Sequence, residues 1–331
     1  MPRLGPFVLL ALIASASTAW SAPRDNPRLT TAANASGRPR ECDGASRGAA
    51  RASRVTIWDS ARLPQLARYC DLISRAHARL VQAPLAALDA ATVADRILPG
   101  RAAPSIVIGR VNVALRRWDD ALAAFERARS ADARSVDDPA ALHALATAQR
   151  QAGRLPAAID TYRVLVPRLG LVPDVDTRAA ILLEAAGLVG ASPGDGLREA
   201  VSLLNEARAQ PASSLDADVL AMLALALDRT GATEQASEVT RSLSARGLRL
   251  TPPGGDEGKY TYLADTDEAL AMYAISTERQ DAKKSLEAWE KFVTRTKSEP
   301  WREHARRHVD ALKKPRRPAQ PVPPRAPGKV R

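Results

Sequence analysis

The sequence predicts an all-α protein built as a stack of antiparallel helix hairpins. Aromatic residues make up only 4% of the 331 residues, while alanine and leucine are abundant, a composition that suits closely packed helices better than sheets. From Ser60 onward, apolar residues recur every three or four positions, as they do along one face of a helix. From Pro104 onward, one unit repeats, consisting of an apolar helix, a short polar or glycine-containing break and a second helix.

The first residues, 1–21, are typical of a secretory signal peptide. Arg3 supplies the positive start, Leu4–Ala14 form a short apolar run, and small residues allow cleavage after Ala19 or after Ser21. An uncleaved membrane anchor is the alternative, although the run is short for a hydrocarbon core of roughly 30 Å. We therefore expect an exported protein, periplasmic or extracellular. The arginine- and alanine-rich composition adds the expectation of a Gram-negative bacterial host.

The net charge of +11 is concentrated at the two ends of the chain. Residues 22–57 form an irregular leader rich in Arg, Ser, Gly and Ala, and residues 314–331 form a Pro-rich basic tail that we expect to be disordered. Neither segment interleaves aromatic residues with its basic ones, so we expect no nucleic-acid partner. An anionic envelope component is one ligand that the tail could bind, and a solvated tail without a ligand is the alternative.

The chain contains two cysteines, Cys42 and Cys70. An even number of cysteines in an exported chain favours a disulfide. The bond would close a loop of about 29 residues, which contributes roughly 3.5 kcal/mol in the loop-entropy model. Two free buried thiols are the alternative.

Between the ends, the pattern divides the chain into consecutive helical segments. The predicted segments are an N-terminal helix pair at 58–100, repeats at 101–247, a loop at 248–259, and a C-terminal hairpin with a capping helix at 260–313. The capping helix is expected because a terminal hairpin of a repeat stack otherwise exposes its apolar face.

The clearest repeat spans residues 106–128. Gly109 and Ala121 are small enough to let two helices approach closely, while Phe125 and Ala128 can pack on the next unit. This spacing resembles that of the tetratricopeptide repeat (TPR) family, which has small residues at positions 8 and 20, an aromatic at 24 and Ala at 27.

Further copies of the pattern follow along residues 102–295. Residues 144–166 match next, with Ala146, Gly153, Ala158 and Tyr162 at the corresponding positions. Three looser copies come after, and the position-20 residues of all five are Ala121, Ala158, Ala200, Ala236 and Ser285. Because their spacing exceeds the 34-residue period of the family, loop insertions are expected. The resemblance implies a right-handed superhelical stack, that is, a TPR-like α-solenoid.

The resemblance also implies a function. In the family, the first helix of each repeat lines a concave face that binds peptides or extended segments. The polar residues that fall on this face are Arg110, His143, Arg150, Asp228 and Arg229. Arg110 and Arg150 could hold a carboxylate of an acidic or C-terminal peptide. We therefore expect an exported scaffold that mediates protein–protein interaction, with a protein or peptide partner.

The sequence shows no catalytic motif. A G-x-S-x-G elbow, a Cys/His pairing and a phosphate-binding glycine pattern are all missing, so we expect no enzyme and no cofactor. His304 and His308 have a spacing that can place two imidazoles on one metal, but the Ala-Arg-Arg between them lacks the glutamate of the zincin pattern. A solvated helix face without a metal is the expectation for this pair. The alternatives to a scaffold are a surface- or polymer-associated protein tethered by its basic tail, and an enzyme with an unrecognised site.

Overall fold

The computed structural model describes Pro39, Cys42 and residues 57–192, 195–211, 213–245 and 266–314. The predicted signal peptide, the loop at 248–259, the tail from residue 315 and nearly all of the leader lie outside these residues. Within the described ranges, no helix has both the length and the apolar character needed to cross a membrane.

Thirteen α-helices, one short 3₁₀ helix and no strand make up the described part of the chain. In order they are α1 (Ile57–Arg79), α2 (Pro84–Ile97), α3 (Ala102–Ala114), α4 (Trp118–Ala131), α5 (Pro139–Gln151), α6 (Leu155–Leu165), the 3₁₀ helix (Val166–Leu171), α7 (Val175–Gly190), α8 (Gly196–Arg208), α9 (Asp216–Arg229), α10 (Thr233–Ala245), α11 (Thr266–Thr277), α12 (Ala282–Arg295) and α13 (Glu299–Lys313).

Consecutive helices pack in pairs, from α1 with α2 to α11 with α12, and α13 packs on α12. We call the first helix of each pair an A helix and the second a B helix. Most neighbouring A helices also contact one another, as α3 does with α5 and α9 with α7 and α11. This architecture is that of an all-α solenoid and confirms the predicted stack of helix hairpins.

The turn between an A helix and its B helix has the same form in three hairpins. It contains a residue with positive φ, which is Gly153 at +75° after α5 and Gly231 at +85° after α9. After α3, the same place is taken by Arg116 at +57°. Glycine adopts this left-handed conformation without a Cβ clash, whereas arginine does so at a cost of roughly 1–2 kcal/mol. The glycine-containing breaks in the sequence therefore mark tight A-to-B turns.

The small residues of the first repeat allow the close packing predicted for them. A Cβ added to Gly109 would lie 3.0 Å from two atoms of the Phe125 ring, so only glycine leaves room for that ring at its present position. Phe125 is 1% exposed, and Ala121 and Ala128 are fully buried in the main core. α3 and α4 approach each other because of this fit.

Carboxylates at the helix starts have the structural role that their position suggests. Asp138 is the N-cap of α5, where its side chain accepts hydrogen bonds from the backbone N–H groups of Ala140 and Ala141. Asp119 and Asp120 lie in the first turn of α4. Negative charge at a helix N-terminus interacts favourably with the helix dipole.

Cys42 and Cys70 form a disulfide, which confirms the predicted pairing. Their Cα atoms are 5.7 Å apart, and Cys42 is 1% exposed. The bond lies in a small apolar cluster with Tyr69 and Ile73 of α1 and Ala94 of α2. It therefore joins the chain before α1 to the first hairpin.

Candidate functional site

The five polar residues predicted for the concave face do not share one exposed surface. Arg110 is 8% and Asp228 is 1% exposed, while His143, Arg150 and Arg229 are half-buried. Around Asp228, residues 218–228 of α9 are buried without interruption, over about three turns. A helix buried on all sides presents no face to a partner. The face is therefore closed at α9, and Arg110 and Asp228 make internal contacts instead.

The first internal contact joins α1 to α3. A guanidinium nitrogen of Arg110 lies 3.4 Å from Nδ1 of His77. Burial and the Arg110 charge lower the pKa of His77 to about 4, an effect that Asp138 partly offsets. Burial likewise lowers the pKa of Arg110, again with Asp138 opposing the shift. His77 is thus held neutral beside a buried cation.

The second contact joins α5, α6 and α7 around a buried carboxylate. Glu184 accepts a hydrogen bond from the Tyr162 hydroxyl at 2.7 Å and lies 2.9 Å from Nε2 of His143. Burial raises the pKa of Glu184, but the charges of His143 and Arg150 and the hydrogen bonds from His143 and Tyr162 outweigh it, lowering the pKa to about 2. Burial and the Glu184 charge raise the pKa of Tyr162 well above its usual value. The carboxylate therefore stays ionised in the core.

The third contact joins α9 to α13. Nε2 of His304 lies 2.6 Å from Oδ2 of Asp228, and Nε2 of His308 lies 3.2 Å from the same oxygen. The other nitrogen of His308, Nδ1, donates to Glu278 at 3.0 Å. His304 is 6% and His308 7% exposed. The expectation of a solvated helix face was wrong, because α13 turns both rings onto the buried end of α9.

Aromatic rings hold the two imidazoles in place. Trp289 of α12 stacks on His308, with ring centroids 4.5 Å apart and planes 19° apart. Trp301 meets His304 edge to face at 6.1 Å. The guanidinium of Arg229 lies over the Trp301 ring, 4.5 Å from its centroid. Each imidazole is therefore oriented by packing as well as by its polar contacts.

Burial and neighbouring charges act in opposite directions on the pKa values of this cluster. Burial lowers the pKa of His308, but its hydrogen bonds to Asp228 and Glu278 and their charges outweigh burial and raise the pKa to about 9. Burial raises the pKa of Asp228, but the two histidines more than compensate and hold it below its usual value. Burial lowers the pKa of Arg229 to about 10, with the Glu268 charge opposing the shift.

The described part of the chain also has a small apolar cavity of about 150 Å³, between α6, the 3₁₀ helix, α7 and α8. Its lining residues are Tyr162, Arg163, Val166, Pro167, Ala185, Val189, Glu199 and Leu203. Ligand sites usually have volumes of roughly 300–1,000 Å³. The cavity is therefore too small for most organic substrates.

Of the three polar contacts, the one between α9 and α13 has side chains that could together bind a metal ion. Asp228, His304 and His308 bring three potential metal-ligand atoms within 4.8 Å of one another. Sequence reasoning considered the histidine pair but missed its partners Asp228 and Glu278. No family model matches the chain, and a search of curated proteins finds no similar one.

Proposed function

We propose that the protein is an exported, non-enzymatic scaffold of TPR-like hairpins that binds a protein or peptide partner on the A helices α3 and α5. The observation that carries this proposal is the uneven exposure of the A helices. On α9 the face is closed, whereas on α3 and α5 the corresponding positions other than Arg110 remain at least partly exposed. The concave face is thus more open at α3 and α5 than at α9.

The open part combines apolar and polar side chains. α3 contributes Ile106 and Val113, and α5 contributes Thr147 and Gln151, all half-buried. Apolar side chains can bury those of a bound segment, while the hydroxyl and amide can hydrogen-bond its backbone. His143 and Arg150 lie on the same helix, half-buried and interacting with Glu184. An extended peptide fits this chemistry.

Export is supported by the cysteine chemistry. Disulfides form and persist in the periplasm and outside the cell, and are rare in the reducing cytosol. The Cys42–Cys70 bond is a buried structural link rather than an exposed pair. Together with the signal-like residues 1–21, it favours an oxidising compartment for the mature chain.

A crosslinking experiment on the native envelope fraction tests the binding surface. The test variant carries Val113→Lys and Gln151→Lys, which place cations in the last turns of two A helices, where the helix dipole favours positive charge. The matched control carries Ser130→Lys and Val164→Lys, in the last turns of the B helices α4 and α6. Ser130 and Val164 are exposed.

We expect the unmodified protein and the B-helix control to capture the same partner by crosslinking mass spectrometry, and the A-helix variant to lose it. Circular dichroism would show that all three chains are folded. Equal capture by both lysine variants would refute binding at α3 and α5. If the unmodified protein captures no partner, the proposal that it is a scaffold is refuted.

A further inference from the structure

We propose that Asp228, His304 and His308 bind one divalent transition-metal ion of the Zn²⁺ class, which fastens α13 to α9. Two imidazole nitrogens and one carboxylate oxygen are a ligand set that Zn²⁺ accepts, with bonds of about 2.0–2.2 Å. The site does not depend on the binding surface at α3 and α5, because it lies at the other end of the stack.

Two of the three distances between the ligand atoms fit a bound ion, and the third, between Asp228 and His304, would lengthen by about 0.7 Å when the ion binds. Oδ2 of Asp228 lies 2.6 Å from Nε2 of His304 and 3.2 Å from Nε2 of His308, and the two nitrogens are 3.2 Å apart. Neighbouring ligands of a tetrahedral ion with bonds of about 2.0 Å are about 3.3 Å apart. The triangle has a circumradius of about 1.75 Å, so an ion about 2 Å from each corner would lie about 1 Å above its plane.

Hydrogen bonding alone explains this arrangement poorly. The two Nε2 atoms subtend only about 66° at Oδ2, calculated from the three distances, which is narrower than the separation of the lone pairs on a carboxylate oxygen. If both nitrogens donate to Oδ2, two N–H groups also face each other at 3.2 Å. A cation removes this conflict, because all three atoms then present lone pairs to it.

The surroundings of His308 are those of a metal ligand. Its Nδ1–H donates to Glu278, and a carboxylate on the far nitrogen is a common way to orient a metal-bound imidazole and raise its basicity. The stacked Trp289 ring fixes the plane of this imidazole. Both features hold Nε2 of His308 towards the other two ligand atoms.

One neighbour opposes the ion. A guanidinium nitrogen of Arg307 lies 3.3 Å from Nδ1 of His304, and because arginine is only a donor, this Nδ1 acts as the acceptor. A metal on Nε2 would require the proton on Nδ1 and the displacement of Arg307. Arg307 is exposed, so it can turn into solvent. Removing its charge should therefore strengthen metal binding.

The test is a titration of Zn²⁺ into the full chain after treatment with a chelator, with metal per chain measured by elemental analysis and affinity by competition with a chelating dye. We expect one bound Zn²⁺ per chain. Co²⁺ in its place should give visible absorption bands of a low-symmetry, nitrogen- and oxygen-ligated centre. His304→Gln and His308→Gln should each weaken Zn²⁺ binding by about 100-fold or more.

Two milder variants keep the test decisive if the ligand variants do not fold. Glu278→Gln should weaken Zn²⁺ binding about 10-fold, and Arg307→Gln should strengthen it about threefold. His77→Gln changes another partly buried histidine and should leave the affinity unchanged. The proposal is overturned if the unmodified chain binds Zn²⁺ no more tightly than about 1 mM. It is also overturned if Glu278→Gln and Arg307→Gln have the affinity of the unmodified chain.

Discussion

Replacing Glu184 by glutamine should destabilise the protein at neutral pH and much less in acid. The substitution keeps the volume of the side chain but removes its charge. The hydrogen bond from Tyr162 can still be accepted by the amide oxygen, whereas the positive charge of Arg150 loses its buried counter-charge and His143 loses its anionic partner. Removing one partner of a buried ion pair is costly because the other charge remains in the core.

The magnitude follows from the pKa of the carboxyl group. It falls from 4.5 to about 2 on folding, and each pKa unit corresponds to about 1.4 kcal/mol, so the ionised carboxylate contributes about 3 kcal/mol at pH 7. Because the folded-state pKa is the lower one, this contribution is complete above pH 4.5 and is lost as the pH falls towards 2. About 2 kcal/mol should be lost between pH 6 and pH 3.

Urea unfolding followed by circular dichroism at pH 6 and pH 3 measures both effects. We expect Glu184→Gln to unfold with about 3 kcal/mol less free energy than the unmodified chain at pH 6, and the difference to shrink to about 1 kcal/mol at pH 3. Glu199→Gln is the control, because Glu199 forms a surface ion pair with Arg163, which typically contributes no more than about 1 kcal/mol. A pH-independent effect of Glu184→Gln would refute the reasoning.

Three further results are expected. Acidification from pH 6.5 to pH 4 should destabilise the chain, because His77 has a pKa near 4 when folded and therefore binds a proton more readily when the chain is unfolded. In His77→Asn, the free energy of unfolding in urea should depend less on pH over this range. Arg116→Gly should raise the thermal unfolding midpoint, because it relieves about 1 kcal/mol of strain in the left-handed backbone conformation of Arg116. Gly153→Ala should lower the midpoint by a similar amount, because the new Cβ has nothing within 4 Å but its backbone has the same left-handed conformation. Reducing the Cys42–Cys70 bond should lower the free energy of unfolding in urea by up to about 3.5 kcal/mol. The reductant should have no such effect on a variant in which both cysteines are replaced by serine.

The fold could be predicted because its signals are local. Apolar spacing identifies helices within a few turns, and the glycines at 153 and 231 mark turns within three residues of the helix ends. The fit of Gly109 against Phe125 follows a spacing of 16 residues inside one hairpin. Each of these features can be read within a short window of the sequence. The stack follows because each hairpin has to bury an apolar face on the next one.

The polar contacts could not be predicted, because they depend on which helices of different hairpins meet. Asp228 and His304 are 76 residues apart, and no repeat spacing relates them. A polar residue on an A helix can face solvent in one repeat and a neighbouring helix in another, and the pattern within its own hairpin is the same in both cases. Asp228 was therefore assigned to an exposed face. The burial of α9 over residues 218–228 becomes visible only once its neighbours are placed.

The bond between His304 and Asp228 also determines how the end of the stack opens. In a repeat array whose units contact only their neighbours, the last hairpin can fray independently of the rest. Here α13 follows the last hairpin, α11–α12, yet reaches back to α9 in the hairpin before it. Releasing the last hairpin with α13 thus exposes the buried carboxylate of Asp228 as well. Amide hydrogens of α11, α12 and α13 should consequently exchange with solvent in one cooperative step.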